Sequence, residues 1–227
     1  MKLITPIIDL FFPPVCLACS DFLPEKNLRI CVDCRHDLPV TNFHFDNPEY
    51  VKKIFYGRLE LQNATALLRF HKKGIVQQLM HNLKYRGHEE IGSIFGDWLG
   101  GELATISNYG SIDLVIPVPL HKKKLRQRGY NQVEKFGQQI AKALNVPYVD
   151  DVLIKISTTN SQVFKKREAR WGNDYQVFTV QNEERLTGKH ILLVDDIITT
   201  GATIETCANV LTNTYKNKLS VASMAIA

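Results

Sequence analysis

The segment Ile191 to Thr203, Ile-Leu-Leu-Val-Asp-Asp-Ile-Ile-Thr-Thr-Gly-Ala-Thr, limits what this chain can fold into more than any other. Ile191 to Val194 is a continuous apolar run, the pattern of a strand buried on both faces of a parallel sheet. Two adjacent carboxylates follow it, Asp195 and Asp196, then a short Thr/Gly loop, then a predicted helix over Ile204 to Leu211. Strand, loop and helix in that order aim several backbone N–H groups and a positive helix end at one anion. Thr199, Thr200 and Thr203 add hydroxyl donors, and Gly201 lets the backbone approach a phosphate closely. The two acids would repel that phosphate. They suit sugar hydroxyls instead, or a Mg²⁺ shared with a second phosphate. A ligand with a phosphate on one side and a diol on the other is a ribose 5-phosphate. Capping a helix would need one such residue, not two acids and three threonines around a glycine.

At 227 residues the chain can bury a substantial core and hold one main domain with a small appendage. With 44% hydrophobic and 22% charged residues, the composition is that of a soluble globular protein. The formal charge of +5 is compatible with phosphorylated ligands or nucleic acid and demands neither. No segment reaches the apolar length of a membrane span. Met1 to Phe12 is apolar but interrupted by Asp9 and has no small-residue cleavage site, which argues against a signal peptide. It reads as a short amphipathic helix ending at Pro13-Pro14 and docked on the body of the protein. The expected location is the cytoplasm.

Four of the five cysteines fall in two C-x-x-C pairs, Cys16 with Cys19 and Cys31 with Cys34, eleven residues apart. That is the ligand type and spacing of a closed, structural Zn²⁺ site. Disulfides are disfavoured in a cytoplasmic chain, and a bridge within one C-x-x-C constrains little. Cys207 stands alone and is expected to be a small buried hydrophobe. The division expected is residues 1–45 for the helix and zinc module and residues 46–227 for the main domain.

Residues 35 to 63 are polar and read as an irregular connection. Strands are expected over Ala64 to Phe70, Ile112 to Val118, Pro147 to Ile156 and Leu219 to Ile226. Helices are expected over Gly74 to Leu83, Glu89 to Ala104 and Val133 to Leu144, the last closed by Asn145 and Pro147. Leu83-Lys84-Tyr85-Arg86-Gly87 reads as a short basic loop, suited to a pyrophosphate or equally to a basic helix end. Lys122, Lys123, Lys124, Arg126 and Arg128 form the densest basic patch in the chain.

Taken together, the cysteine pairs after F-F-P-P, then L-K-Y-R-G, P-V-P-L with R-G-Y-N-Q, and V-D-D-I-I-T-T-G-A-T closely resemble the ComF family. These are phosphoribosyltransferase-like proteins associated with natural competence for DNA uptake. The resemblance covers nearly the full chain and departs mildly at Tyr130, where Phe is common. It implies the type I phosphoribosyltransferase fold: α/β, Rossmann-like, with a mainly parallel central sheet flanked by helices and a small N-terminal Cys₄ zinc module.

The same resemblance implies the ligand phosphoribosyl pyrophosphate (PRPP), bound with Mg²⁺. Asp195 and Asp196 would face the ribose, and Ile198, Thr199, Thr200, Gly201, Ala202 and Thr203 would wrap the 5-phosphate. Lys84, Tyr85 and Arg86 would form the pyrophosphate loop, with a strained peptide before Lys84. Asp195, Asp196 and Lys84 are the catalytic candidates. Gln162, Arg167 and Arg170 would belong to a mobile loop closing over PRPP, unless that segment is a solvated basic helix. Arg128, Asn131 and Gln132 would be site or surface residues particular to the family.

Three functions fit these features. One is transfer of phosphoribose from PRPP to an acceptor the sequence does not identify, with release of pyrophosphate. Another is a PRPP sensor without turnover. The third is a competence factor that binds single-stranded DNA through the zinc module and the basic patch, alongside other competence proteins. A homodimer is expected only by analogy with type I relatives.

Overall fold

The computed structural model describes residues 13–25, 27–156, 177–212 and 217–227. The apolar segment at residues 1–12 and the mobile-loop candidates Gln162, Arg167 and Arg170 lie outside them. Among the described residues the strands are β1 (Ala64–Arg69), β2 (Leu114–Pro117), β3 (Leu153–Ile156), β4 (Val177–Val180), β5 (His190–Ile198) and β6 (Lys218–Ile226). β1, β2, β5 and β6 make a parallel sheet in the order β1-β6-β5-β2, while β3 and β4 pair antiparallel apart from it. Near-continuous burial along β1, β2, β6 and the first half of β5 follows from helices covering both faces.

The helices are α1 (Val32–His36), α2 (Phe43–Asp46), α3 (Glu49–Lys52), α4 (Ile75–Tyr85), α5 (Glu90–Leu103), α6 (Lys122–Arg128), α7 (Glu134–Leu144) and α8 (Ala202–Thr212). On one face α4, α5 and α7 bury Leu83, Phe95, Phe136 and Ile140 against Leu192 and Val194 of β5. Cys16, Leu17, Leu23 and Cys34 of the cysteine segment join the same cluster, so that segment packs on the main body. On the opposite face α8 places Ile204, Cys207 and Leu211 with Phe43, Val51 and Phe55 against Ile191 and Leu193. Cys207 is fully buried, as its solitary apolar setting predicts.

The approach of α5 to α7 depends on a groove without side chains. A Cβ on Gly96 would lie 2.5 Å from the Phe136 carbonyl oxygen. The roughly 1 kcal/mol that a helical glycine costs against alanine is offset by this backbone contact.

Several expectations are corrected here. Residues 35–63 are not a plain connection: Val40 bridges to Leu68 on the open edge of β1, and Phe43, Val51, Phe55 and Leu61 are core residues. Helical turns of four residues show no periodicity, so their burial is set by tertiary contact. The expected strand Pro147 to Ile156 divides into a single bridge, Tyr148 to Val115, and β3. The Leu83–Gly87 loop is mostly helix, since α4 runs through Tyr85 and Arg86 caps it. The peptide before Lys84 therefore lies in regular helix, and no strained turn stands there. The apolar helix face that buries Leu79 and Leu83 continues the winding past the expected end.

Candidate functional site

β5 leads through α8 to its neighbour β6, whereas β2 leads through α7 to the bridge at Tyr148 on its outer side. The two helices cover opposite faces, so the chain diverges between the carboxyl ends of β5 and β2. In open α/β sheets that crevice is where ligands bind.

Asp195 and Asp196 stand at this edge, inside β5 rather than after it, as hydrogen bonding continues to Ile198. Side chains alternate along a strand, so the two acids face different neighbours. Asp196 meets Lys84 from α4, Oδ2 to Nζ 2.7 Å. Asp195 has Lys155 of β3 and Cys207 of α8 around it, on the other face. Burial, reinforced by the charge of Asp196, pushes the Asp195 carboxyl up to about 7. Lys155 is half-buried; burial and then Lys124 hold its ammonium below the usual range. The isolated lysine in Leu-Ile-Lys-Ile carries no motif, so only the tertiary structure brings Lys155 to the acids.

Thr199, Thr200 and Ala202 are exposed at the head of α8, Gly201 is buried, and Thr203 lies between. Gly201 adopts φ +77°, and a Cβ there would sit 2.5 Å from Phe55 Cε1. Arg58, in the same turn as Phe55, donates to the Thr200 carbonyl at 3.0 Å and to Glu205 Oε2 at 2.6 Å. It also donates to the Ile54 carbonyl. In a trans peptide the carbonyl and N–H point opposite ways, so fixing the Thr200 oxygen turns the Gly201 N–H away from Arg58. Phe55 and Arg58 thus template the loop from behind, and neither was legible as a site residue. The Phe-Tyr-Gly-Arg run in a polar stretch gives no signal for it.

The basic patch after β2 forms α6, capped by His121, whose Nδ1 accepts from the Lys123 N–H at 3.2 Å. Lys122, Lys123, Lys124 and Arg126 are exposed. Arg128 instead turns inward, over the Tyr85 ring at 5.1 Å, and donates to Gln132 Oε1 at 2.6 Å. Tyr130 donates to the Leu83 carbonyl. Asn131 donates to the Val118 carbonyl at 3.1 Å. These residues join the end of α4 to the turn between β2 and α7, which brings Lys84, Tyr85 and Arg86 beside the Pro117–Gln132 segment.

The four cysteines of the N-terminal pairs converge, with their Sγ atoms within 4.8 Å of one another. None is in a disulfide. Burial raises the Cys16 thiol, but N–H groups outweigh it and bring it down to about 7. Those of Ala18 and Cys31 lie 3.4 and 3.3 Å from its sulfur. Such N–H···S bonds favour a thiolate, the form a metal takes. The cluster could hold one tetrahedral metal ion.

A parallel sheet between helical layers, with paired acids and a threonine loop at its switch point, defines a phosphoribosyltransferase fold. The family model described as phosphoribosyl transferase domain matches residues 134–225. Curated relatives are similar over more of the chain. Competence protein F of Haemophilus influenzae is 29% identical over 116 residues, 50% of each chain. Competence protein ComFC of Bacillus subtilis is 25% identical over 197 residues, 87% of this chain and 77% of that one. The DNA utilization protein YhgH of Escherichia coli strain K12 is 27% identical over 136 residues, 59% of each. The chain thus spans only about half to three-fifths of the length of the Haemophilus and Escherichia relatives. A solved glutamine PRPP amidotransferase from B. subtilis is 19% identical over 63% of this chain and 30% of that one, with a TM-score of 0.42. That overlap is too low to carry an argument. The motif order, the domain match and the four-cysteine cluster together support a ComF-family protein. Among the described residues no helix is long and apolar enough to cross a membrane.

Proposed function

We propose that the protein binds PRPP in the crevice between β5 and β2 and transfers its phosphoribosyl group to an acceptor, releasing pyrophosphate. The observation that carries this reading is the Thr199–Ala202 loop heading α8, exposed at Thr199, Thr200 and Ala202, on the strand end of an acid pair whose Asp196 is ion-paired to Lys84. The loop N–H groups would hold the 5-phosphate, fixing the sugar for in-line attack. Lys84 and Arg86 would face the pyrophosphate as the C1–oxygen bond breaks and the C1–acceptor bond forms. The donor chemistry suits Mg²⁺, a hard cation that takes carboxylate oxygens: Asp196, ion-paired to Lys84, and Asp195, whose carboxyl burial and then the charge of Asp196 push up to about 7. Mg²⁺ bound there would neutralise charge developing on the leaving pyrophosphate.

The names of the relatives support a role in DNA uptake. Four exposed cations on α6 favour single-stranded DNA as a further partner, outside the reaction itself. Zn²⁺ is the metal the cysteine cluster suits best, and residues 1–45 are the unit it would organise. A sensor would share the PRPP site but show no turnover.

The test is calorimetric titration of PRPP with and without Mg²⁺, on the wild type and on Asp195→Asn/Asp196→Asn, with an oligonucleotide titrated in parallel. Binding that requires both Mg²⁺ and the acids, followed by acceptor-dependent pyrophosphate release, supports transfer. Binding without release in an acceptor screen would leave the sensor reading. No PRPP binding in any condition would remove both. Oligonucleotide binding insensitive to salt would count against α6 as a DNA surface.

A further inference from the structure

Asn82 is polar, yet it lies on the buried face of α4 among Val76, Leu79, Met80 and Leu83. A buried amide is costly unless its hydrogen bonds are made, and leucine would fill such a place without that cost. Asn82 Nδ2 donates to the Leu17 carbonyl at 2.8 Å, and its Oδ1 accepts from Gln78 Nε2 at 3.4 Å. Leu17 lies inside the first cysteine pair. Its own N–H donates to the Arg29 carbonyl at 2.8 Å, two residues before Cys31. Leu17 thus joins both cysteine pairs to α4.

The next two residues of the helix are tied elsewhere. The Leu83 carbonyl accepts from the Tyr130 hydroxyl, and Lys84 pairs with Asp196 at 2.7 Å. Arg86 closes the same turn, its N–H donating to the Asn82 carbonyl at 3.0 Å. At 3.6 residues per turn, the side chains of Asn82 and Lys84 leave the helix about 200° apart. The cysteine pairs and the acids therefore grip opposite sides of one helical turn. A packed turn moves as a unit, so what holds Asn82 also holds Lys84. A metal ion on the four sulfurs would fix the two cysteine pairs to each other and Leu17 between them.

We propose that Asn82 is a positioning residue for the PRPP site, through which metal held by the four cysteines sets where Lys84 stands against Asp196 and the pyrophosphate. The proposal rests on the PRPP reading above and on Zn²⁺ at the cysteines. Zinc and PRPP then bind with positive linkage, each tightening the other by the same factor.

Two affinities are read on the full chain: that of PRPP with Mg²⁺ by calorimetry, and that of zinc by competition with a chromogenic chelator. Saturating PRPP and Mg²⁺ should tighten zinc about fivefold in the wild type. Asn82→Leu, similar in shape but without a donor, should still bind zinc, weaken PRPP about fivefold or more and lose the linkage. Asn82→Asp, of the same size, tests the same bond should the leucine variant lose its zinc. Leu186→Ala, a cavity in the core cluster on the other face of the sheet, is the structural control. It should lower the melting temperature yet keep the linkage. Zinc affinity indifferent to PRPP in the wild type overturns the proposal. So does an Asn82 variant that keeps zinc, wild-type PRPP affinity and the linkage, or a Leu186→Ala variant that loses the linkage as well. A wild type that binds no PRPP removes the PRPP reading itself, and one that is fully stable without zinc removes the metal; the linkage falls in either case.

Discussion

Replacing Gly201 by alanine tests how tightly the loop is built. Two penalties fall on one atom. At φ +77° an L side chain is strained by about 1–2 kcal/mol. The added Cβ would also lie 2.5 Å from Phe55 Cε1 and 3.3 Å from Ile54 Cγ2. Phe55 is fully buried and cannot swing aside, so overpacking adds roughly 1–3 kcal/mol. Together these give about 2–5 kcal/mol, on the order of 10 °C in melting temperature for a chain of this size. Gly57 supplies the control. Its φ is +73°, yet nothing lies within 4 Å of an added Cβ, so Gly57→Ala should show the backbone penalty alone. Thermal unfolding of both variants by calorimetry separates the two contributions. Phe55→Leu in the Gly201→Ala background should recover part of the excess. A Gly201→Ala variant no less stable than Gly57→Ala would refute the close contact, and with it the templating of the loop by the 53–58 turn.

Two further outcomes concern charge and metal. Asp195 is raised from 3.8 to about 7, so between those pH values the native state binds more proton than the unfolded one. Stability should therefore fall as pH rises through that window and level off above it. Asp195→Asn should match the wild type below pH 4 and exceed it above pH 7, by roughly 2 kcal/mol after allowing for partial exposure. Equal melting temperatures at pH 8 would contradict this. For the cysteine cluster, Cys31→Ser should lose bound Zn²⁺ and lower the melting temperature. Wild-type protein that purifies without zinc, at full stability, would exclude a structural metal there.

Local sequence carried much of this. Apolar runs bounded by turn residues marked β1, β2, β5 and β6, because strands buried on both faces need no partner to be recognised. Helices α5 and α7 were legible from periodicity to within a residue or two. The cysteine spacing pointed to a cluster before any fold was known, since C-x-x-C places two sulfurs on one turn. The acids and the threonine loop were equally plain, being contiguous in the chain.

What lay between was not. Residues 35–63 looked like a polar connection because helical turns this short have no period, yet Phe55 and Arg58 shape the loop at Gly201. Lys155 met the acids only through β3. Arg128 looked like one cation of a patch until packing turned it onto Tyr85. The sequence by itself determined a parallel α/β sheet, four clustered thiols and a threonine-glycine loop after two acids, because each is written in neighbouring residues. Tertiary structure alone decided which lysine faces which acid and what stands behind the loop. Those relations join residues tens to more than a hundred positions apart, and only packing free energy, not local propensity, selects among them.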